Sequence, residues 1–285
     1  MNDERLLRRE IAEKLKNGGI EFADFEANQL VGEFFDGSEN SLKALHRAVE
    51  RRIAREPLQY IIGQWEFYGL PFFVGDGVLI PRQDTETLVD EALRFLKSRR
   101  ACSAVDLCSG SGCIAVSVAK NAPNCSVTAV EKYPEAFRYL EKNTELNGVS
   151  VKCVSGDAIS FCENASPQEY DLVLSNPPYI PSDDIGALEP EVKSEPKTAL
   201  DGGEDGLFFY RALAETVPRI LKDGGRIMVE IGYDQKSSVT EIFSANGFSN
   251  IKCIKDLSGN DRVISATVRT VGDRTETEDK DYVRR

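Results

Sequence analysis

The sequence predicts an α/β protein: a mostly parallel seven-stranded sheet with an antiparallel edge hairpin, preceded by a small N-terminal helical domain. Three features carry the prediction. From residue 84 onward, β-branched and apolar runs alternate with segments of helical spacing, the pattern of a sheet covered by helices on both faces. The last two runs, 250–256 and 262–269, have no helix between them and so pair antiparallel at one edge. Residues 3–62 show helical spacing alone.

In chain order, apolar residues recur at helical spacing over 6–15, 22–35 and 41–53, with breaks at Asn17-Gly18-Gly19 and Asp36-Gly37-Ser38. Trp65 to Val74 is rich in aromatics around Gly69 and Pro71 and reads as a hairpin. A helix from Thr85 to about Lys97 precedes a strand at 103–107, a helix opening near Gly112, a strand at 126–131 and a helix at 134–147. Strands at 151–155 and 171–175 follow, then a helix at 205–222, a strand at 226–231, a helix at 235–245 and the closing hairpin. The expected organisation is a helical domain over 1–63, a hairpin linker over 64–80, the α/β domain over 81–271 and a disordered charged tail over 272–285.

Composition narrows the function classes. Apolar content of 41% and charged content of 29% describe an ordinary globular protein. No run approaches the roughly 18 apolar residues of a membrane span, and the charged N-terminus lacks the apolar centre of a signal peptide, so a cytoplasmic protein with no membrane partner is expected. Net charge of −12 argues against direct nucleic-acid binding. A local basic cluster, Arg47, Arg51, Arg52 and Arg55, reads as a solvated helix face in preference to a binding patch. Seven scattered cysteines without a Cys-x-x-Cys pair, and a single histidine, His46, give neither a zinc-ligand spacing nor a disulfide framework; no metal is expected.

The first strand of the α/β part runs into Cys108-Ser109-Gly110-Ser111-Gly112, which opens a helix, and Glu131 ends the next strand. Alone, this fits a dinucleotide fingerprint as well as any other adenosine-containing ligand. Three features favour S-adenosyl-L-methionine over a nicotinamide. Asp106 precedes the loop, where a carboxylate repels a pyrophosphate but suits an amino-acid moiety. Gly156-Asp157-Ala158 closes the third strand, within reach of an adenine amino group. The fourth strand ends in Asn176-Pro177-Pro178-Tyr179. The fold expected is therefore the Rossmann-like sheet of class I S-adenosylmethionine-dependent methyltransferases, an enzyme class.

That last tetrapeptide is the most informative in the chain. Two prolines fix φ and remove two backbone donors, leaving a stiff corner of carbonyl oxygens between a side-chain amide and an aromatic ring. Such a corner suits a planar NH2 group: the Asn176 oxygen and the Pro177 carbonyl each accept one N–H, and Tyr179 packs against the acceptor. The long segment 180–204, rich in Pro, Gly, Asp and Glu, is expected to form part of the wall around it.

Nearly the whole chain resembles the HemK/PrmC family of protein-(glutamine-N5) methyltransferases, which modify class I peptide chain release factors. The resemblance runs through Pro57 to Gly63, through Ile80-Pro81-Arg82 with Thr85-Glu86, and through the glycine loop and the Asn-Pro-Pro-Tyr corner. It ends in Glu195-Pro196 with Ala199-Leu200, Gly202-Gly203 and Asp205-Gly206-Leu207. It implies methyl transfer from S-adenosyl-L-methionine, giving S-adenosyl-L-homocysteine, to the glutamine of the Gly-Gly-Gln motif in translation termination. Asn176, Pro177, Pro178 and Tyr179 would bind the acceptor, with Asn176, Pro177 and Tyr179 acting on it. Asp106, Cys108, Ser109, Gly110, Ser111, Gly112, Glu131, Asp157, Ala158 and Asn176 would hold the cofactor. The helical domain would recognise the protein partner, and a monomer is expected. Rival acceptors are a ribosomal-protein glutamine and, less favoured by charge, a nucleic-acid amino group. The chain departs from the family at Cys108, where glycine is usual, at Gln83-Asp84, where Pro-Glu is usual, and at Ala158, near which an aromatic is common.

Overall fold

The computed structural model describes residues 2–268, so the charged tail expected over 272–285 lies outside the described residues. Four helices come first: α1 (Asn2–Asn17), α2 (Ala23–Phe34), α3 (Glu39–Ile53) and α4 (Leu58–Ile62). Their apolar stripes meet in a core of their own, centred on Ile11, Leu15, Leu30 and Leu45, each with no exposed surface. Ser38 caps α3 by accepting the Ser41 N–H at 3.1 Å. Gly63, at φ +83°, ends α4 in the left-handed conformation that glycine tolerates best.

A hairpin follows, β1 (Gln64–Phe67) and β2 (Leu70–Phe73), joined through Tyr68 and Gly69, both at positive φ. Positive φ at both central residues suits the right-handed twist of the flanking strands. Phe67 and Phe72 are buried in the core under the large sheet.

The remaining chain winds the large sheet: α5 (Glu86–Leu96), β3 (Cys102–Leu107), α6 (Cys113–Asn121), β4 (Cys125–Glu131), α7 (Pro134–Leu146), β5 (Val151–Ser155), α8 (Ala158–Asn164) and β6 (Tyr170–Ser175). Then come α9 (Pro190–Lys193), α10 (Phe208–Ile220), β7 (Leu221–Glu230), α11 (Lys236–Ala245), β8 (Phe248–Lys255) and β9 (Asp261–Val268). Strand order is β5-β4-β3-β6-β7-β9-β8, parallel except where β9 pairs antiparallel with β7 and β8. Successive residues of a strand face opposite ways. Leu172 and Leu174 pack under α5 and α6, while Val173 packs with Tyr210, Leu213 and Val217 of α10 on the other face. The seven-stranded sheet and its antiparallel edge are those read from the sequence.

Some boundaries differ. The sequence reading placed no helix between 155 and 171, yet α8 is there, seven residues long and capped by Asp157. The helix expected from residue 205 begins at Phe208, because Gly206 sits at φ +72° and the Asp205 carboxylate takes the Leu207 N–H in a turn. The basic cluster is a solvated face only in part: Arg47 and Arg51 are exposed, but Arg52 and Arg55 are drawn into ion pairs. Arg52 is buried between Glu26 and Glu191, Arg55 reaches the same Glu191, and Arg51 pairs with Glu56. The two pairs to Glu191 join the first helices to α9. No helix among the described residues is long and apolar enough to cross a membrane.

Candidate active site

The chain winds outward from β3 in two directions, first to β4 and β5, then back to β6 and β7. In open parallel sheets the crevice at this reversal, at the carboxyl ends of the strands, is where ligands bind. Here the reversal sets the loop after β3 beside the corner after β6. Leu107 pairs with Ser175, and the Ser175 hydroxyl donates to the Leu107 carbonyl at 2.7 Å.

The loop 108–112 is held from below and behind. Cys108, Gly110 and Gly112 have φ of +61°, +54° and +80°. A side chain at Gly112 would meet Leu140 of α7 at 2.5 Å, so only glycine allows the loop to lie this close to α7. Ser109 donates its N–H to Val130 and its hydroxyl to the Asp106 carbonyl. Asn143 of α7 donates to the Ser111 carbonyl at 2.9 Å and binds both backbone groups of Phe73, tying loop and hairpin together.

Asp106 lies beneath this loop with no exposed surface. Its Oδ2 accepts the Ala115 N–H at 3.2 Å, its Oδ1 has no partner, and burial lifts its pKa to about 7. Glu131 divides its carboxylate between two N–H groups, Gly110 and Tyr133, each at 2.8 Å, and burial raises its pKa. Asp157 caps α8 through Ile159 and Ser160. Burial works against its charge, but those N–H groups and Lys132 at 3.2 Å hold its pKa below the usual range.

A cavity of about 670 Å³, counting its open mouth, is lined by Cys108, Glu131, Asp157, Ala158, Asn176 and Pro178 among others. A second cavity lies on the far side of Asn176, walled by Tyr179, Arg82, Glu230, Leu79 and Leu200. A third, small one joins Ser109 and Ser111 to Cys108, Thr85 and Asn176. Asn176 lines all three. Asp106, Gly110, Gly112 and Pro177 line none of them.

At the corner itself, Asn176 Nδ2 donates to Thr85 Oγ1 at 3.3 Å. Among the described residues, none donates to Asn176 Oδ1 or to the Pro177 carbonyl. The Tyr179 hydroxyl lies 3.4 Å from Glu230 Oε1, and burial pushes its pKa up. The segment 180–204 returns to brace the corner: Ile180 donates to Leu200, and Gly202 donates back to Ile180. A Cβ on Gly202 would sit 2.7 Å from Tyr179 Cα, and one on Gly206 only 2.4 Å from the Tyr179 carbonyl oxygen. Gly202 and Gly206 are thus required by contact with the corner. Glu195 pairs with Arg82 and accepts the Ile80 N–H at 2.9 Å, joining two stretches far apart in sequence.

Sequence reasoning missed Thr85, Asn143 and Glu230. Glu230 ends β7 with 1% exposure, and burial raises its pKa to about 7. An acid closing an apolar strand is the same signal that marked Glu131, and it was available here.

The Methyltransferase small domain family model matches residues 85–189. In structure, the chain is similar to a methyltransferase from Pyrococcus furiosus, with a TM-score of 0.51 and 21% identity, covering 82% of this chain and 100% of that one. Fold and strand-end site together define a class I methyltransferase. In sequence, the chain is 46% identical over 228 residues to the release factor glutamine methyltransferase of Geobacter sulfurreducens, covering 80% of this chain and 78% of the relative. It is 42% identical to that of Thermodesulfovibrio yellowstonii over 76% of this chain and 78% of the relative. The chain belongs to the release factor glutamine methyltransferase family.

Proposed function

We propose that this enzyme methylates the side-chain amide nitrogen of the Gly-Gly-Gln glutamine in class I peptide chain release factors, using S-adenosyl-L-methionine. The observation that carries the reading is the acceptor pair at the corner. Asn176, whose Oδ1 accepts from no other residue, lines both the first and the second cavity, and the carbonyl of the neighbouring Pro177 is likewise without a donor. A primary amide has two N–H groups to satisfy that pair.

The first cavity fits the methyl donor. Two carboxylates, Glu131 and Asp157, line it as a ribose and an adenine amino group require, and a buried acceptor, Asp106 Oδ1, lies unpartnered beneath the loop that would meet an amino-acid moiety. When bound there, S-adenosyl-L-methionine supplies a methyl carbon on a sulfonium. The protein's own contribution is at the nitrogen. An amide lone pair is delocalised into its carbonyl and is a poor nucleophile. By gripping both N–H groups, Asn176 Oδ1 and the Pro177 carbonyl orient the lone pair toward the first cavity and favour a pyramidal nitrogen, which exists only near the transition state. Tyr179 and Pro178 form the walls that hold the amide in line. Methylation makes the amide nitrogen strongly acidic, so its proton leaves to solvent readily.

Residues 1–63 supply remote contacts with the protein partner, since one side-chain amide is too small to single out a glutamine by itself. Residues 64–80 link them to the catalytic domain over 81–271. A cytoplasmic monomer without a nucleic-acid partner completes the reading, in keeping with the net charge of −12.

The test is transfer of labelled methyl to a purified class I release factor and to its variant with the Gly-Gly-Gln glutamine replaced. Label in the first alone is expected; label in neither overturns the proposal. Asn176→Ala should lower kcat by roughly 10²–10³, the usual loss of one transition-state hydrogen-bonding group. Its cofactor Kd should change far less. Turnover within tenfold of wild type would remove Asn176 from the mechanism.

A further inference from the structure

The wall of the second cavity is not held by the α/β domain alone. Val192 of α9 lines that cavity with Asn176 and Tyr179. α9 is a single turn of four residues, too short to keep its shape unaided, so its place is set by what grips it on either side. Beyond its C-terminal end, the buried Glu195 takes both Arg82 and the Ile80 N–H and ties the chain to the α/β domain.

The other grip comes from the helical domain. Glu191 Oε1 accepts from Arg52 at 2.8 Å and from Arg55 at 3.0 Å. Both arginines have a second hold within the first helices. Arg52 makes two hydrogen bonds to Glu26 of α2, at 2.6 and 3.1 Å, and Arg55 binds the Gly19 carbonyl at 2.8 Å. They are fixed points of that domain, and Glu191 is what fastens to them. An ion pair between two mobile exposed side chains contributes little, but the Arg52 side chain is only 7% exposed and already held in place, so the entropy lost on pairing is small.

We propose that Glu191 is a positioning residue for the methyl acceptor: it fastens Val192, and with it one wall of the second cavity, to the helical domain. The proposal rests on the reading of that cavity as the amide site. It gives residues 1–63 a task besides contact with the partner, since the acceptor cavity takes its final shape only while α9 is moored to them.

The experiment reads the mooring and the chemistry separately. Trp65, the chain's single tryptophan, lines a further cavity together with Arg52, Glu191 and Val192, so its fluorescence reports on this junction without cofactor or acceptor. In Glu191→Ala both arginines keep their partners in the helical domain, and the fold should hold. Acrylamide quenching of Trp65 should rise as α9 comes away. With a release factor as acceptor, kcat should fall roughly 10- to 10²-fold, the penalty of a misplacement of about 1 Å. KM for the release factor and cofactor Kd should change far less, because Glu195 still holds the chain that follows. Glu191→Gln, close in shape, should move both readouts the same way by less. Arg51→Met, which removes the neighbouring Arg51–Glu56 pair and does not reach α9, should leave both as in the wild type. Unchanged quenching in Glu191→Ala, a raised KM with kcat intact, or the same losses in Arg51→Met overturn the proposal. If quenching behaves as expected while the wild type leaves release factors unlabelled, the mooring of α9 stands and the substrate reading falls.

Discussion

Replacing Asn143 with alanine should loosen the glycine loop and the hairpin together. Asn143 is fully buried on α7; it accepts from Phe73 N–H at 2.6 Å and donates to the Phe73 carbonyl at 3.1 Å and the Ser111 carbonyl at 2.9 Å. Alanine leaves all three groups unanswered. Phe73 is 38% exposed, so water can take over its two groups, and the loss there is the net value of two hydrogen bonds, about 1 kcal/mol each. Ser111 is 2% exposed, and its carbonyl finds no substitute; orphaning it costs about 1–3 kcal/mol. Together this is about 3–5 kcal/mol, a large share of the 5–15 kcal/mol typical of a domain. Equilibrium urea unfolding measures it, and calorimetry with S-adenosyl-L-methionine should show weaker binding, because the loop loses its tie to α7. A loss below about 1 kcal/mol with cofactor affinity intact would refute the reasoning.

Other perturbations read different parts of the structure. Cys108 adopts φ +61°, a conformation that costs a side-chain-bearing residue about 1–2 kcal/mol. Cys108→Gly should therefore stabilise the protein by up to about 1 kcal/mol after the entropy of glycine in the unfolded chain is counted, and destabilisation in urea would show that thiol packing outweighs the strain. Arg52→Met strands the buried Glu26, while Glu191 keeps Arg55, and should cost about 3–5 kcal/mol, with limited proteolysis cutting first within α1–α4; an unchanged melting profile would contradict this. Stability should also decline toward alkaline pH. Asp106 and Glu230 have folded pKa values of about 7, raised by burial, so each binds its proton more tightly when folded, and that contribution is lost as pH climbs from about 4 through 7. Asp171 and Glu191, whose cationic partners outweigh burial, act oppositely and only on the acid side. The thermal midpoint should be higher at pH 5.5 than at pH 8, by an energy on the order of 2 kcal/mol per raised group. The double variant Asp106→Asn, Glu230→Gln should flatten that slope, and a slope that persists would assign it elsewhere.

Periodic features were legible in the sequence because they are local. The alternation of strand and helix identified every sheet strand, and the acids at 106, 131 and 157 marked the strand ends that meet at the crevice. Asp157 shows the limit of such reading: noticed as a ligand candidate, it is also the cap that starts α8, and seven residues are too few to show helical spacing. What stayed hidden is non-local. Thr85 meets Asn176 from 91 positions away, and Arg52 meets Glu191 from 139. Four arginines at helical spacing look like a solvated face until a partner for two of them, Arg52 and Arg55, arrives from another part of the fold. The glycines at 202 and 206 were visible as a pattern, but their cause, the lack of room against Tyr179, belongs to the folded chain.

The corner's chemistry follows from what its residues lack. Pro177 and Pro178 have no N–H, so the backbone there can only accept. Asn176 spends one donor on Thr85 and keeps its oxygen for the cavity. On the proposed reading, the Asn176–Pro177 acceptor pair distinguishes a glutamine from a glutamate: the amide brings two donors, whereas a carboxylate brings only lone pairs. Sites whose buried polar groups go unpaired with the wrong ligand can discriminate by roughly 10⁴–10⁵. If the proposed reading holds, selection of an amide nitrogen rests on the same groups that make that nitrogen reactive, and a change that relaxed one would weaken the other.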